Sequence, residues 1–152
     1  PDHLEAGTLA APALAGLLGG LEWIHARGID SVHEHGAVLK ARLWDGLSAI
    51  PDVRVLSPRE PHGVPLVTCV PAGMEVPAFA SKLDKEHGIL IRAGLHCAPE
   101  VHKLLGSDST GALPFSVGWC TTEAEVDRAV DAVARVAGAG KVFSAAVGAP
   151  PS

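Results

Sequence analysis

The chain has 152 residues, of which 47% are hydrophobic and 19% charged, with a formal net charge of −5 at pH 7. This length is sufficient for one domain whose core needs neither disulfides nor a metal. The negative charge, without any block of basic residues, argues against general binding to nucleic acid or to anionic membranes.

The cysteine content and the apolar pattern bear on location. Three cysteines, at positions 69, 97 and 120, leave at least one unpaired, which is typical of a reducing compartment. No uninterrupted apolar stretch is long enough to cross a membrane, and no segment resembles a signal peptide. We therefore expect a cytoplasmic protein. The first residue is Pro1, so either the start was removed or the chain begins inside a longer protein.

The first third of the chain predicts two helices. Apolar residues recur at helical spacing over residues 13–26, and Gly28 is a stop signal. Asp30 is the predicted N-cap of a second helix that ends before Pro51. One face of this second helix carries three leucines: Leu39, Leu43 and Leu47.

The middle of the chain changes to shorter apolar runs. Four of them predict strands: residues 53–55, 66–70, 89–91 and 113–117, the last despite Pro114. Residues 77–87 predict a third helix with Gly88 at its end. The strand at residues 89–91 is expected to be buried.

The last helix has the clearest signals. Thr122 and Glu125 have the spacing of a capping box, and an apolar stripe follows on one face. Its members are Val126, Ala129, Val130, Val133 and Val136. This order of elements favours an α+β fold with a small, mostly antiparallel sheet covered by helices. Residues 138–152 are rich in Gly, Ala and Pro and are expected to form a flexible tail.

One segment carries candidate chemistry. Arg92, Gly94, His96 and Cys97 follow directly after the predicted strand at residues 89–91, in a loop position where reactive groups are commonly displayed. A thiol reacts as its thiolate, which nearby positive charge favours. Arg92 and His96 supply that charge, and His96 is also a candidate for moving a proton. The alternative is that Cys97 is an ordinary buried thiol.

Other candidate residues have plainer interpretations. A zinc site at His96, Cys97 and His102 lacks a fourth ligand with suitable spacing, so no metal is predicted. Cys69 lies in an apolar strand and is predicted to be core. Cys120 is predicted to be structural, with a thiol that resolves Cys97 as the alternative. His102 is expected to be an exposed helix residue without a role.

Three segments resemble a known family. Arg92-Ala93-Gly94-Leu95-His96-Cys97-Ala98-Pro99 resembles the R-x-G-x-H-C-A motif of class V aminotransferase-fold enzymes, the cysteine desulfurases and selenocysteine lyases. Residues 4–8, Leu-Glu-Ala-Gly-Thr, are similar to that family's EAGT segment. Residues 118–127 are similar to its final strand and last helix. The three segments have the family's order and spacing.

The resemblance implies a fold, a reaction and site residues. Residues 13–137 would be the C-terminal small domain of a fold-type I pyridoxal-phosphate enzyme, and residues 1–12 a segment between domains, near the cofactor. Cys97 would accept sulfur from L-cysteine, giving alanine and a persulfide, with His96 beside it. Thr8 would contact the cofactor phosphate of the partner subunit. Arg92 is the candidate for binding the substrate.

The resemblance also implies partners and shows two departures. The family forms dimers, and a sulfur-acceptor protein is a candidate partner; nucleic acid and membranes are not. None of the lysines stands in a Ser-x-His-Lys context, so the cofactor lysine is expected in a large domain outside this chain, and the isolated chain should be inactive. Pro114 stands where the family usually has an arginine that binds the substrate carboxylate.

Several alternatives stay open from sequence. Either Arg92 takes the place of the missing arginine, or the substrate is not a free amino acid, or the site has decayed. Cysteine and selenocysteine are not distinguished, and neither the sulfur acceptor nor the oligomeric state is defined. The alternative function is a separated, non-catalytic small domain that acts as a sulfur carrier or as a structural dimerisation partner.

Overall fold

A computed structural model describes residues 7–59 and 63–138. The start of the EAGT-like segment and the predicted tail from residue 139 lie outside the described residues. The elements in chain order are α1 (Ala11–Arg27), α2 (Ile29–Ser48), β1 (Val53–Val55), β2 (Leu66–Pro71), α3 (Val76–His87), α4 (Pro99–Leu105), β3 (Leu113–Ser116) and α5 (Glu123–Val136). They form an α+β fold, as the sequence predicted.

The chain divides into two compact units within α2, between His35 and Gly36. The first unit contains α1 and the start of α2. Gly28 separates the two helices with a φ of 81°, a conformation that glycine adopts without strain. The predicted N-cap at Asp30 was wrong, because α2 begins at Ile29 and Asp30 is the second residue of its first turn. There its carboxylate still complements the helix dipole.

The second unit is built on a three-stranded antiparallel sheet in the order β1-β2-β3. In β2, Val67 and Cys69 point into the core opposite Phe115 and Leu113 of β3. The helices α2, α3 and α5 supply the rest of this core. Their most deeply buried side chains are Leu39, Leu43, Leu47, Val76, Phe79, Leu83, Val126, Val130 and Val133.

The opposite face of the same sheet is not filled by the core. Leu66 and Thr68 of β2 lie on this face, opposite Ser116 and Pro114 of β3, and all four are exposed or half-buried. Arg54 of β1 lies on the same face because it is the central residue between inward-facing Val53 and Val55. This outer face carries the candidate site described below.

The predicted buried strand at residues 89–91 was wrong. Residues 89–91 belong to no strand, and the nearest pairing is an isolated bridge between Gly94 and Ala112, the residue before β3, which exchange both backbone hydrogen bonds (3.2 and 3.1 Å). Successive residues of a strand direct their backbone N–H and C=O groups to opposite edges. After Ala112, the next residue whose backbone groups face the Gly94 side is therefore Pro114, which has no N–H to donate. The ladder therefore stops, and Leu90 is 84% exposed.

The last helix begins as predicted. Thr122 is the N-cap of α5, its side chain accepts a hydrogen bond from Glu125 N–H, and the Glu125 carboxylate accepts one from Thr122 N–H in return. Farther along, Arg42 of α2 binds Asp127 through two parallel hydrogen bonds of 2.6 and 2.7 Å. A third bond, of 2.9 Å, joins Arg42 to Glu123. These contacts tie α2 to α5.

This ion pair gives a testable prediction for stability. The hydrogen bonds from Arg42 hold the pKa of Asp127 below its ordinary value. Asp127 is therefore deprotonated over a wider pH range in the folded protein than in the unfolded chain. The stability that its pair with Arg42 adds to the folded state is lost as pH falls below about 4. Because both side chains are about a third exposed, Arg42→Met should lower the free energy of unfolding by about 1 kcal/mol at neutral pH, and less in acid.

Urea denaturation at neutral and acid pH checks this result. The matched control is Arg59→Met, which removes a similar bidentate pair with Asp45 whose side chains are 59% and 51% exposed. Its loss should be smaller, because exposed pairs are screened by water. Equal stability of the two variants at neutral pH would contradict the assigned role of Arg42.

Candidate active site

The outer face of the sheet forms the floor of an open cavity of about 630 Å³. Helix α4 forms a wall through Val101, His102 and Leu105, and Arg92 and His96 enter from the preceding loop. No Asp or Glu of the described residues lines this space. Apart from Arg92 and the two histidines, the lining side chains are aliphatic, proline or hydroxyl-bearing. The cavity therefore combines apolar walls with one cationic group and two imidazoles.

Cys97 lies at the tip of a tight turn beside this cavity. Ala98 N–H donates to Leu95 C=O (2.9 Å), and the two central residues, His96 and Cys97, have φ values of 51° and 61°. Positive φ at both central positions is the geometry of a type I′ turn, which residues other than glycine rarely adopt. Such a conformation costs on the order of 1–2 kcal/mol per residue and is found where function constrains the backbone. It displays Cys97 in an exposed position.

Two interactions fix the start of this turn. The first is the bridge between Gly94 and Ala112 described above. The second is the hydrogen bond between His96 Nε2 and the Ala112 carbonyl, at 3.2 Å. A carbonyl oxygen only accepts, so Nε2 of His96 carries a proton. In the neutral ring Nδ1 is then an acceptor and is able to take up a proton.

The far end of the loop is held by helix α4. Pro99 occupies its first turn and Gly106 ends it in the left-handed conformation, with a φ of 63°. The guanidinium of Arg54 donates to the carbonyls of Leu105 and Gly106, at 2.9 and 3.0 Å. A cation at these last carbonyls also complements the helix dipole. Arg54 therefore attaches α4 to the sheet.

The expectation that His102 is exposed was wrong. Its side chain is 6% exposed, and its Nδ1 lies 2.8 Å from the hydroxyl of Ser107, which is fully buried. The ring centroids of His102 and His96 are 6.5 Å apart. The sequence placed His102 in a helix without giving that helix bounds, and it did not identify Ser107 as a partner, although Pro99 and Gly106 mark the two ends of α4.

The predicted site residues are brought together in part. Arg92 and His96 line one cavity, and Cys97 is adjacent to His96 in the exposed turn. Thr8 is exposed in the first unit, outside the unit that carries the cavity. Pro114 lines the cavity but offers it neither charge nor an N–H.

The other two cysteines differ from each other. Cys69 is buried in β2 as predicted, and desolvation raises the pKa of its thiol to about 12, so it stays protonated and unreactive at neutral pH. Cys120 is exposed and lines a second cavity of about 420 Å³ beside α5. Exposure alone therefore does not separate Cys97 from Cys120. The turn with positive φ, the preceding histidine and the adjoining cavity that Arg92 lines distinguish Cys97.

No lysine of the described residues is placed in this cavity to bind pyridoxal phosphate covalently. None of the described lysines lines the cavity; Lys40 is buried in α2 and Lys103 pairs with Glu100 at 2.7 Å. Lys141 lies outside the described residues. Within residues 7–59 and 63–138, no three His, Cys, Asp or Glu side chains are grouped so that they could hold a metal ion. None of the helices in these ranges has the length and apolarity to span a membrane.

Comparison with known proteins decides the family. The family model described as Aminotransferase class-V matches residues 1–129. The chain belongs to the class V aminotransferase family. Within it, a "Probable cysteine desulfurase" of Synechocystis sp. is 31% identical over 129 residues, which cover 84% of this chain and 30% of that protein. "Probable cysteine desulfurase 2" of Mycobacterium leprae is 34% identical over 137 residues, covering 89% and 32%.

Solved structures of class V enzymes agree with this assignment. The cysteine desulfurase CsdA (S-sulfonic acid) from Escherichia coli superposes with a TM-score of 0.80 at 31% identity, covering 90% of this chain and 33% of its own. The apo cysteine desulfurase from Thermococcus onnurineus gives a TM-score of 0.83 at 27% identity, covering 91% and 34%. The chain thus spans about a third of the length of its relatives. It is a cysteine desulfurase-like member of a family that uses pyridoxal phosphate.

Proposed function

We propose that this chain is the C-terminal lobe of a pyridoxal-phosphate-dependent cysteine desulfurase that removes sulfur from L-cysteine. The observation that carries the proposal is the exposed turn in which Cys97 follows His96 beside a cavity lined by Arg92. A thiol displayed at a turn tip, directly after a histidine and beside a cavity that Arg92 lines, is suited to nucleophilic chemistry. The matched relatives are cysteine desulfurases and therefore support this reaction over others of the family.

The step assigned to Cys97 is a transfer of one sulfur atom. The Cys97 thiolate attacks the sulfur of L-cysteine and forms an S–S bond. The Cβ–S bond of the substrate breaks, its electron pair stays on carbon, and that carbon takes up a proton to become the methyl group of alanine. Cys97 is left as a persulfide. Pyridoxal phosphate supplies the electron withdrawal that makes this cleavage possible.

The residues around Cys97 have separate roles in this proposal. Nε2–H of His96 donates a hydrogen bond to the Ala112 carbonyl, and Nδ1 of the same ring takes a proton from the Cys97 thiol. Arg92 binds the substrate carboxylate, because a guanidinium matches a carboxylate with two parallel hydrogen bonds. Thr8 supplies a hydroxyl to the cofactor phosphate of a second subunit. The cofactor lysine comes from a domain outside this chain.

The first unit supports a partner for this lobe. Four leucines of α1, at positions 14, 17, 18 and 21, are between 50% and 60% exposed, and α1 has no buried residue. Exposed apolar surface of this kind marks an interface. We assign it to the large cofactor-binding domain and to a homodimer built on it. A sulfur-acceptor protein would collect the persulfide, and a reducing cytoplasm would keep Cys97 available.

Alanine release tests the proposed reaction. The full-length enzyme, supplied with L-cysteine and a thiol reductant, should release alanine and sulfide in equal amounts. The isolated 152-residue chain should release neither, because no lysine of the described residues lines its cavity. The coding sequence upstream should continue in frame into a Ser-x-His-Lys segment. A full-length protein that binds the cofactor yet releases no alanine would overturn the proposal in favour of a separated, non-catalytic module.

A further inference from the structure

His102 is a buried titratable residue that lines the cavity and has no role in the reaction proposed above. It is 6% exposed, it lies in α4, and it lines the cavity beside Val101 and Leu105. Its Nδ1 is 2.8 Å from the Ser107 hydroxyl. Placing an imidazole among aliphatic side chains is unfavourable unless its polar atoms have partners. Nδ1 has the Ser107 hydroxyl as its partner, and the question is which group Nε2 binds.

The burial of Ser107 decides which nitrogen of His102 carries the proton. Ser107 is fully buried, and His102 Nδ1 is the only partner of its hydroxyl among the described side chains. If Nδ1 donated the proton, the serine hydroxyl would keep its own proton without an acceptor, which is costly in a buried position. The hydroxyl therefore donates to Nδ1. The neutral ring then carries its proton on Nε2.

The position of α4 keeps this arrangement in place. Ser107 N–H donates to the His102 carbonyl at 2.9 Å, and Ser107 C=O accepts from Gly111 N–H at 2.8 Å. Arg54 holds the carbonyls of Leu105 and Gly106 just before Ser107. The ring is thus fixed from its Nδ1 side, and Nε2–H is the polar group that it can offer to the cavity.

The cavity needs such a donor if it receives an anion. Among the residues that line the cavity, Arg92 is the permanently charged one, and no carboxylate of the described residues faces the cavity. His96 already donates its Nε2–H to the Ala112 carbonyl. Pro114 contributes no N–H. We propose that His102 Nε2–H is a hydrogen-bond donor to the carboxylate of the amino-acid substrate, acting together with Arg92. This inference rests on the proposed function, because it takes the substrate to be an amino acid.

Nitrogen NMR of the full-length enzyme, labelled with ¹⁵N-histidine and free of cofactor, tests the tautomer at mildly alkaline pH. His102 should show a protonated Nε2 and an unprotonated Nδ1. Ser107→Ala should convert it to a mixture of both tautomers, because Nδ1 loses its donor. A proton on Nδ1 of the unmodified chain would overturn the proposal.

Titration of the same labelled enzyme tests the ligand. L-Alanine, the carboxylate-bearing product, should shift the His102 Nε2 resonance, whereas L-alaninamide, which lacks the carboxylate, should not. His102→Leu should weaken L-alanine binding at least about tenfold, followed through the His96 resonances, because a hydrogen bond to a charged group is lost. His102→Gln, which keeps an N–H near the Nε2 position, should restore most of the affinity.

Three outcomes of the titration would overturn the proposal. They are no response to L-alanine, an equal response to L-alaninamide, and unchanged binding by the His102→Leu variant. Neither the Cys97 thiol nor the cofactor takes part in this experiment. Its failure is therefore distinguishable from failure of the proposed desulfurase reaction, which alanine release measures.

Discussion

Replacing Cys97 by serine is expected to reduce alanine formation from L-cysteine by the full-length enzyme to background, a loss on the order of 10³-fold or more. Serine is close to cysteine in size, so the turn at His96 and Cys97 and the packing around it should persist. Its hydroxyl, however, is not ionised at neutral pH and does not form a stable bond to sulfur. Cofactor binding should be unchanged, because the proposed function places the cofactor lysine in a domain outside this chain.

The matched control for this variant is Cys120→Ser. Cys120 is also exposed, but it lies beside α5 and lines a different cavity. This variant should keep nearly full activity. Cofactor absorbance and the rate of alanine release, measured for both variants, check the prediction. Substantial alanine release by the Cys97→Ser enzyme, or an equal loss in the Cys120→Ser enzyme, would contradict the assignment.

Replacing Gly111 by alanine is expected to displace the loop that carries Cys97 and to lower the free energy of unfolding of the second unit by roughly 2–4 kcal/mol. A Cβ atom at Gly111 would lie 2.7 Å from Gly94 Cα and 2.8 Å from its carbonyl carbon, and these are backbone atoms, which shift less easily than the end of a flexible side chain. The φ of 72° adds strain for any other residue. The Gly94–Ala112 bridge should open, and the His96 contact to Ala112 should be lost with it.

Two glycine variants separate the causes of this effect. Gly106→Ala tests positive φ alone, since its φ is 63° but nothing lies within 4 Å of the added Cβ. Gly118→Ala is the control for both steric clash and positive φ, because the added Cβ has open space around it and the φ of Gly118 is not positive. Urea denaturation should rank the losses as Gly111, then Gly106, then Gly118. Hydrogen exchange at the amides of Gly94 and Ala112 should accelerate in the Gly111 variant alone, and unchanged protection there would refute the proposed role of this contact.

Much of the fold could be predicted because its signals are local. The leucine stripe of α2, the capping box at Thr122 and Glu125, and the alternation in β2 each depend on residues within a few positions of one another. Such patterns reflect the period of a helix or a strand directly. The strand at Leu113–Ser116 was also predicted, because one proline is tolerated where its missing N–H faces away from the pairing strand.

The errors arose where a distant residue decides the outcome. Residues 89–91 have the composition of a strand, but their pairing depends on Pro114, more than twenty positions away in the sequence, which cannot continue the ladder. His102 has an exposed-looking context in a polar segment, and it is buried because Ser107 and the outer face of the sheet enclose it. Interactions of this kind leave no periodic signal in a single sequence.

The sequence named residues for a candidate site but did not predict their arrangement. Cys97, His96 and Arg92 are together because they are close in sequence, whereas the contribution of α4 and the close approach of Gly94 to Gly111 required the structure. The positive φ values of His96 and Cys97 were also not visible, since residues other than glycine adopt that conformation only rarely.

The location of the transferred sulfur tests the central proposal most directly. The full-length enzyme, given one equivalent of L-cysteine, is alkylated, digested, and mapped by mass spectrometry. The added sulfur atom should be found on the peptide that contains Cys97. Cys69 should be unmodified, because it is buried and its pKa is raised to about 12. Sulfur on Cys120 with none on Cys97 would contradict the account.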